Sequence, residues 1–160
     1  MNQAARGAYF KSQVIANLWI NSALNGVIAF FFYRSREIIR FDEAAVDNQI
    51  TVAIIAFFVS WIGIAAARKK FSAGGATLLA AGDRRISIPL PANAVLCSLS
   101  IMAALMLLYG GLGLIGPLSL VQASGFANWG YILFKTIYTG GCAACASALA
   151  VWSVFGEYGE

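Results

Sequence analysis

Four long apolar runs, at residues 13–33, 50–67, 93–116 and 129–155, leave this chain few folds to choose from. Crossing a hydrocarbon core of about 30 Å takes roughly twenty helical residues, and each run is near that length. Strands in lipid would have to close into a barrel to pair their backbone groups, and no run shows the alternation that a barrel strand carries. The runs therefore predict an all-α polytopic membrane protein, with four transmembrane helices in one bundle and a single domain over 1–160. Composition points the same way. With 60% hydrophobic and only 11% charged residues, the chain has too little polar surface to cover a soluble core. The lipid bilayer is thus the first expected partner.

Sidedness follows from the Lys and Arg residues, because positive charge is retained on the cytoplasmic side. Seven of the eleven lie in the N-terminal segment (Arg6, Lys11) and the second connection (Arg68, Lys69, Lys70, Arg84, Arg85). The other side holds Arg34, Arg36 and Arg40, with Lys135 just inside the fourth run. Both termini are accordingly expected in the cytoplasm, in a cytoplasmic (inner) membrane. The first run is longer than a signal-peptide core and no small-residue cleavage site follows it, so it is expected to stay in the protein. Between the basic pairs of the second connection, residues 71–82 are apolar and small, as suits a segment in the headgroup layer. Trp19, Trp61, Trp129 and Trp152 suit the membrane interface.

The net charge of +4 comes from clusters between the apolar runs and does not form a basic stripe with interleaved aromatics, which excludes nucleic acid as a partner. Histidine is absent, so His-ligated haem and the usual neutral-pH bases are excluded, and no cofactor is expected. No Asp or Glu falls inside a run, which argues against exchange coupled to a membrane-embedded carboxylate. The run Gly111-Leu-Gly113-Leu-Ile-Gly116 matches a dinucleotide-binding spacing, but it follows an apolar helix and precedes Pro117, so no nucleotide site is expected.

Helix, connection, helix, repeated once, suggests two parallel two-helix units. At a constant offset of 76, Ala16-Asn17 matches Ala92-Asn93, Ser22 matches Ser98 and Tyr33 matches Tyr109.

Three features stand out within the runs. Asn17, Asn21 and Asn25 recur every four residues, so their amides share one helix face, which cannot favour lipid. Interhelical hydrogen bonding and a polar solute path both account for that face. Lys135 is the only charge inside a run. Its stem can snorkel to the interface; a buried ammonium would instead seek a carboxylate of the first connection, of which Asp47 is one. The fourth run holds Gly140, Gly141, Ala144 and Ala148, a small-residue surface suited to close helix pairing. Cys142 and Cys145 lie within it.

Those two cysteines have the C-x-x-C spacing that can hold a soft metal or cycle between dithiol and disulfide, and only Cys97 is available as a further thiol ligand. Plain packing is the alternative role for all three. The stretch from Tyr131 to Val151 (YILFKTIYTGGCAACASALAV) resembles the last helix of the vitamin K epoxide reductase family, which carries a C-x-x-C pair near its outer end. That resemblance implies a quinone-facing dithiol at Cys142 and Cys145. The family's two further cysteines, in the loop after the first helix, have no counterpart between Arg34 and Gln49.

Three functional classes are compatible with this sequence. The first is a permease-like protein passing a polar or anionic solute, with Asn17, Asn21, Asn25 and Lys135 at its path. The second is a non-catalytic accessory subunit of a larger membrane complex. The third is a thiol-disulfide or quinone oxidoreductase, or soft-metal carrier, using Cys142 and Cys145 with Cys97. A four-helix bundle this small encloses little space alone, so it is expected to associate with itself or with another membrane protein.

Overall fold

A computed structural model describes residues 3–73, 91, 93–111 and 125–158 of the chain. The described residues are almost entirely helical. In chain order they form α1 (Gln3–Tyr33), β1 (Ile38–Ile39), α2 (Phe41–Ala73), α3 (Ala94–Leu105), β2 (Phe126–Ala127) and α4 (Asn128–Phe155). A π-helical turn, Met106–Gly110, continues α3. By length and hydropathy α1, α2 and α4 can each cross a membrane, while the apolar helix Ala94–Tyr109 is shorter.

The helices outrun the apolar windows that announce them. α1 starts at Gln3, ten residues before 13, and α2 starts at Phe41 and runs to Ala73, beyond 50–67 on both sides. The reason for the early start of α2 is electrostatic. Asp42 and Glu43 fill its first turn, where negative charge favours the exposed N–H groups, and Lys70 lies in its last turn, where positive charge favours the carbonyls. In the third run, Asn93 is the cap and not a helical residue: its side-chain oxygen accepts from the amides of Val95 (2.9 Å) and Leu96 (3.3 Å). Residues 112–116 of that run, and 74–82 of the headgroup-layer segment, lie outside the described residues.

The offset of 76 does not match equivalent places. Asn17 is well inside α1, whereas Asn93 precedes α3. Nor do α1 and α2 pack as a hairpin unit, since both pack chiefly on α4.

α4 is the centre of the bundle. It runs antiparallel to α1: Tyr33 meets Tyr131 edge to face at 5.0 Å, Asn17 meets Ser147, and Phe10 meets Trp152. It runs parallel to α2, with Tyr131 beside Ala44 at one end and Phe71 beside Phe155 at the other. It runs antiparallel to α3, where Tyr109 packs on Tyr138 at 5.2 Å. Small residues permit these approaches. A Cβ on Gly140 would come within 3.0 Å of the Leu18 carbonyl oxygen and into the Ser22 side chain, and one on Gly63 would press on Ala150 at 3.3 Å.

At the end formed by Tyr33 and Asn128, β1 and β2 pair antiparallel, Ile38 opposite Ala127 and Ile39 opposite Phe126. Gly125 leads into β2 with φ of 72°, and a Cβ there would strike Ile38 and the Ile39 carbonyl, so only glycine fits. Ile39 is buried against Ala44 and Tyr131, so this clip fixes the tops of α2 and α4.

The surface has an inverted character. Trp19, Phe31, Phe32, Leu107 and Ile137 are exposed, whereas Asn25, Asn48, Ser60, Ser98, Lys135, Thr139 and Ser147 are buried. A surface so broadly apolar matches a lipid solvent, and the buried polar groups are the ones that lipid would not satisfy.

Candidate functional site

The most unusual side chain in the bundle is Lys135. It sits two turns into α4 and is 3% exposed, so its ammonium does not snorkel. An unpaired ammonium at that depth would be costly enough to lose its proton or unfold the region, and it is instead ion-paired to Asp47 Oδ2 on α2. The Tyr131 hydroxyl donates to the same oxygen at 2.6 Å and lies 3.3 Å from the Ala44 carbonyl oxygen. The face of Tyr33 closes the group, its ring centroid 6.0 Å from Nζ. Three helices thus contribute: α1 the ring, α2 the carboxylate, α4 the ammonium and phenol.

Asp47 differs from Lys135 in its access to water. Its side chain is 28% exposed and lines a cavity of about 500 Å³ between the end of α1 and the first turns of α2. Tyr33, Arg36, Asp42 and Glu43 also line this cavity. Arg36 and Glu43 pair at 2.5 Å across its mouth. The Glu43 carboxylate raises the Arg36 pKa above its already high value, so that guanidinium stays cationic throughout the physiological range.

A second cavity, about 490 Å³, opens farther along the same two helices. Asn17 and Asn21 line it from α1, facing Phe58, Ile62 and Gly63 of α2. The amide donors bond along α1 itself: Asn17 Nδ2 to the Gln13 carbonyl, Asn21 to Asn17 and Asn25 to Asn21, each at 3.0 Å. Asn17 also donates to Ser147 Oγ of α4 at 3.2 Å. A four-residue step overshoots one turn by about 40°, so the stripe winds around α1. Asn17 and Asn21 therefore line the groove, while Asn25 is buried. Both cavities lie in the seam between α1 and α2, where Lys135 and Ser147 of α4 contact Asp47 and Asn17.

The cysteines are three free thiols. Cys142 is buried near the middle of α4, and Cys145, half-buried, has its Sγ 3.3 Å from the Tyr109 hydroxyl. Cys97 lies three turns away from Tyr109 along α3, close to Ser153, Arg68 and Glu157. The fold does not bring it to the other two, and the described residues contain no group of three His, Cys, Asp or Glu that could hold a metal ion. Of the small-residue face of α4, the two glycines are used inside the chain, Gly140 seating Ser22 and Gly141 seating Tyr109, while Ala144 and Ala148 are half-buried.

Two features escaped sequence reasoning. Asn48, beside Asp47, is 1% exposed, and neither its Oδ1 nor its Nδ2 has a hydrogen-bond partner among the described residues. The signal was there in the i, i+4 series Ala44, Asn48, Val52, but the acidic residues around it read as a loop. At the opposite end, the chain after α4 folds back. Glu157 is buried and holds Arg68 in a two-pronged pair, at 2.8 Å (Nε) and 2.5 Å (Nη2). Arg6 donates to the Tyr158 carbonyl at 3.3 Å, and Tyr158 packs on Phe71. Ion pairs thus tie α2 to α4 through Asp47 and Lys135, and to the segment after α4 through Arg68 and Glu157.

No protein-family model, curated protein or solved structure matches the chain.

Proposed function

We infer that the chain is an integral membrane protein of four membrane-crossing helices, with both termini cytoplasmic, that passes a small polar or anionic solute along the seam between α1 and α2. The observation that carries this reading is the Lys135–Asp47 pair beneath an open cavity, on the same seam as the Asn17 and Asn21 groove. Buried ion pairs are a costly way to hold helices together in lipid, and polar groups kept inside a bundle are a usual mark of solute paths.

The seam has a chemistry along its length. Amides and hydroxyls exchange hydrogen bonds with a neutral polar solute without binding it tightly. Lys135 adds a positive charge for an anionic group whenever it parts from Asp47. Sidedness is supported by charge: Arg6, Lys11, Arg68, Lys69 and Lys70 belong to the end of the bundle where α1 begins and α2 ends, and retention of positive charge on the cytoplasmic side favours that end as the inner one. The Asp47 cavity then faces outward. Because α1 and α2 pack on α4 and little on each other, the groove at Asn17 and Asn21 is open sideways, and a second copy of the chain would close it from lipid.

The accessory-subunit reading draws less support, since the glycines of the small-residue face, Gly140 and Gly141, already receive Ser22 of α1 and Tyr109 beyond α3. The thiol reading needs a reachable Cys142, which is buried.

Vesicles reconstituted with the purified chain, challenged with glycerol, urea, acetate and phosphate gradients, are expected to swell faster than empty vesicles for at least one of these solutes. Replacing Asn21 by Leu should remove that excess while the protein stays folded. Excess swelling that Asn21→Leu leaves intact would take the seam out of the mechanism.

A further inference from the structure

Asn48 belongs to neither cavity of the seam. It lies on the face of α2 that carries Ala44, Val52 and Ile55, all buried, whereas the outer cavity is lined by the next face, at Glu43, Val46, Asp47 and Ile50. The other buried polar side chains among the described residues are accounted for. Ser60, Ser98 and Thr139 donate to carbonyls one turn back, Asn25 donates to Asn21, and Lys135 is ion-paired. Asn48 alone among them combines near-complete burial with two unpaired atoms, Oδ1 and Nδ2.

A buried amide left without any partner is among the more destabilising features a core can hold, and an isosteric leucine would remove the penalty. Such groups are kept where something small and polar meets them. The occupant must both donate and accept, because Oδ1 needs a donor and Nδ2 an acceptor, and it must be uncharged, because the nearest charges, Lys135 and Asp47, already neutralise each other. It must also be small, since Ala44 and Val52, one turn to either side on the same face of α2, are fully buried.

We propose that Asn48 holds a structural water molecule inside the bundle, in the same layer as the Asp47–Lys135 pair.

The test uses the whole chain in detergent micelles, labelled with ¹⁵N at asparagine, with Asn48→Leu and Asn25→Leu assigning the two side-chain amide signals. The Asn48 NH₂ is expected to show a direct magnetisation-transfer peak to the water resonance and to exchange into D₂O about tenfold faster than the paired Asn25 NH₂. Asn48 protons that show no water peak and exchange as slowly as those of Asn25 would overturn the proposal. Thermal unfolding gives a second reading that needs no assignment. Asn48→Leu should leave the midpoint nearly unchanged, because amide and water leave together, whereas a large rise would mean that the amide is dry and unpaired, and would equally overturn it. Neither measurement depends on solute flux, so a water at Asn48 stands or falls separately from the path along α1 and α2.

Discussion

Neutralising Asp47 should harm this protein more than neutralising Lys135, and removing both should harm it least. The asymmetry follows from exposure. Lys135 is 3% exposed and two turns inside α4, so when Asp47→Asn removes the carboxylate, the ammonium keeps the Tyr33 ring and a neutral amide oxygen but no counter-charge. Leaving one charge of a buried pair uncompensated costs about 3–5 kcal/mol, and the remaining contacts place Asp47→Asn near the lower end, at roughly 3 kcal/mol. In Lys135→Met the stranded group is Asp47, whose side chain is 28% exposed and opens on the outer cavity, so water replaces much of what is lost. That variant should cost about 1 to 2 kcal/mol, in the range of a lost charge-assisted hydrogen bond. The double variant, with Asn at 47 and Met at 135, leaves no charge behind and should recover to within about 1 kcal/mol of the parent. Equilibrium unfolding in mixed micelles, read by tryptophan fluorescence, gives all three values and the coupling between the sites. Equal costs for the two single variants, or a double variant as poor as Asp47→Asn, would refute the claim that Lys135 is the enclosed member of the pair.

Other consequences can be checked separately. Gly140→Ala should loosen α1 from α4, costing about 1–3 kcal/mol because the new methyl meets Ser22 and the Leu18 carbonyl, while Gly7→Ala, whose Cβ would meet nothing within 4 Å, should be neutral or slightly stabilising in the same unfolding assay. Glu157→Gln breaks the two-pronged contact with Arg68 and should release the end of the chain, seen as faster carboxypeptidase trimming of the variant than of the parent. Cys145 should alkylate with maleimide before Cys142, which is fully buried; equal rates would contradict the packing of α4. Replacing Cys142 and Cys145 together by Ala should leave vesicle swelling unchanged, and loss of swelling would return weight to thiol chemistry.

The parts of this fold that could be read from the chain are those that long apolar runs impose. A long apolar run must become a helix whatever its neighbours, so α1, α2 and α4 were visible, and a lone Lys135 in such a run had to be either at the interface or paired. Helix ends were harder. Asp42, Glu43 and Asp47 look like a loop when counted as charge, yet all three lie in α2, whose first turn favours the carboxylates of Asp42 and Glu43. This misplacement also hid Asn48. Partner choice was hardly legible: in water an amphipathic stripe points to the core, but these helices are apolar over most of their surface, and which face meets which is decided by small residues such as Gly140 and Gly63 fitting particular neighbours. The fold-back that buries Glu157 against Arg68 joins residues 89 positions apart and leaves no local pattern.

Everything proposed for the seam requires that its two ends face water on opposite sides of a bilayer. In a chain whose three native cysteines are replaced by Ala, a single cysteine is placed at Ser35, exposed between α1 and α2 at the Asp47 end, or at Ala73, exposed at the far end of α2. Intact cells are then treated with a membrane-impermeant maleimide. The cysteine at Ser35 should label in intact cells, and the one at Ala73 only after the membrane is permeabilised. Equal labelling of both in intact cells, or the reverse order, would contradict the account.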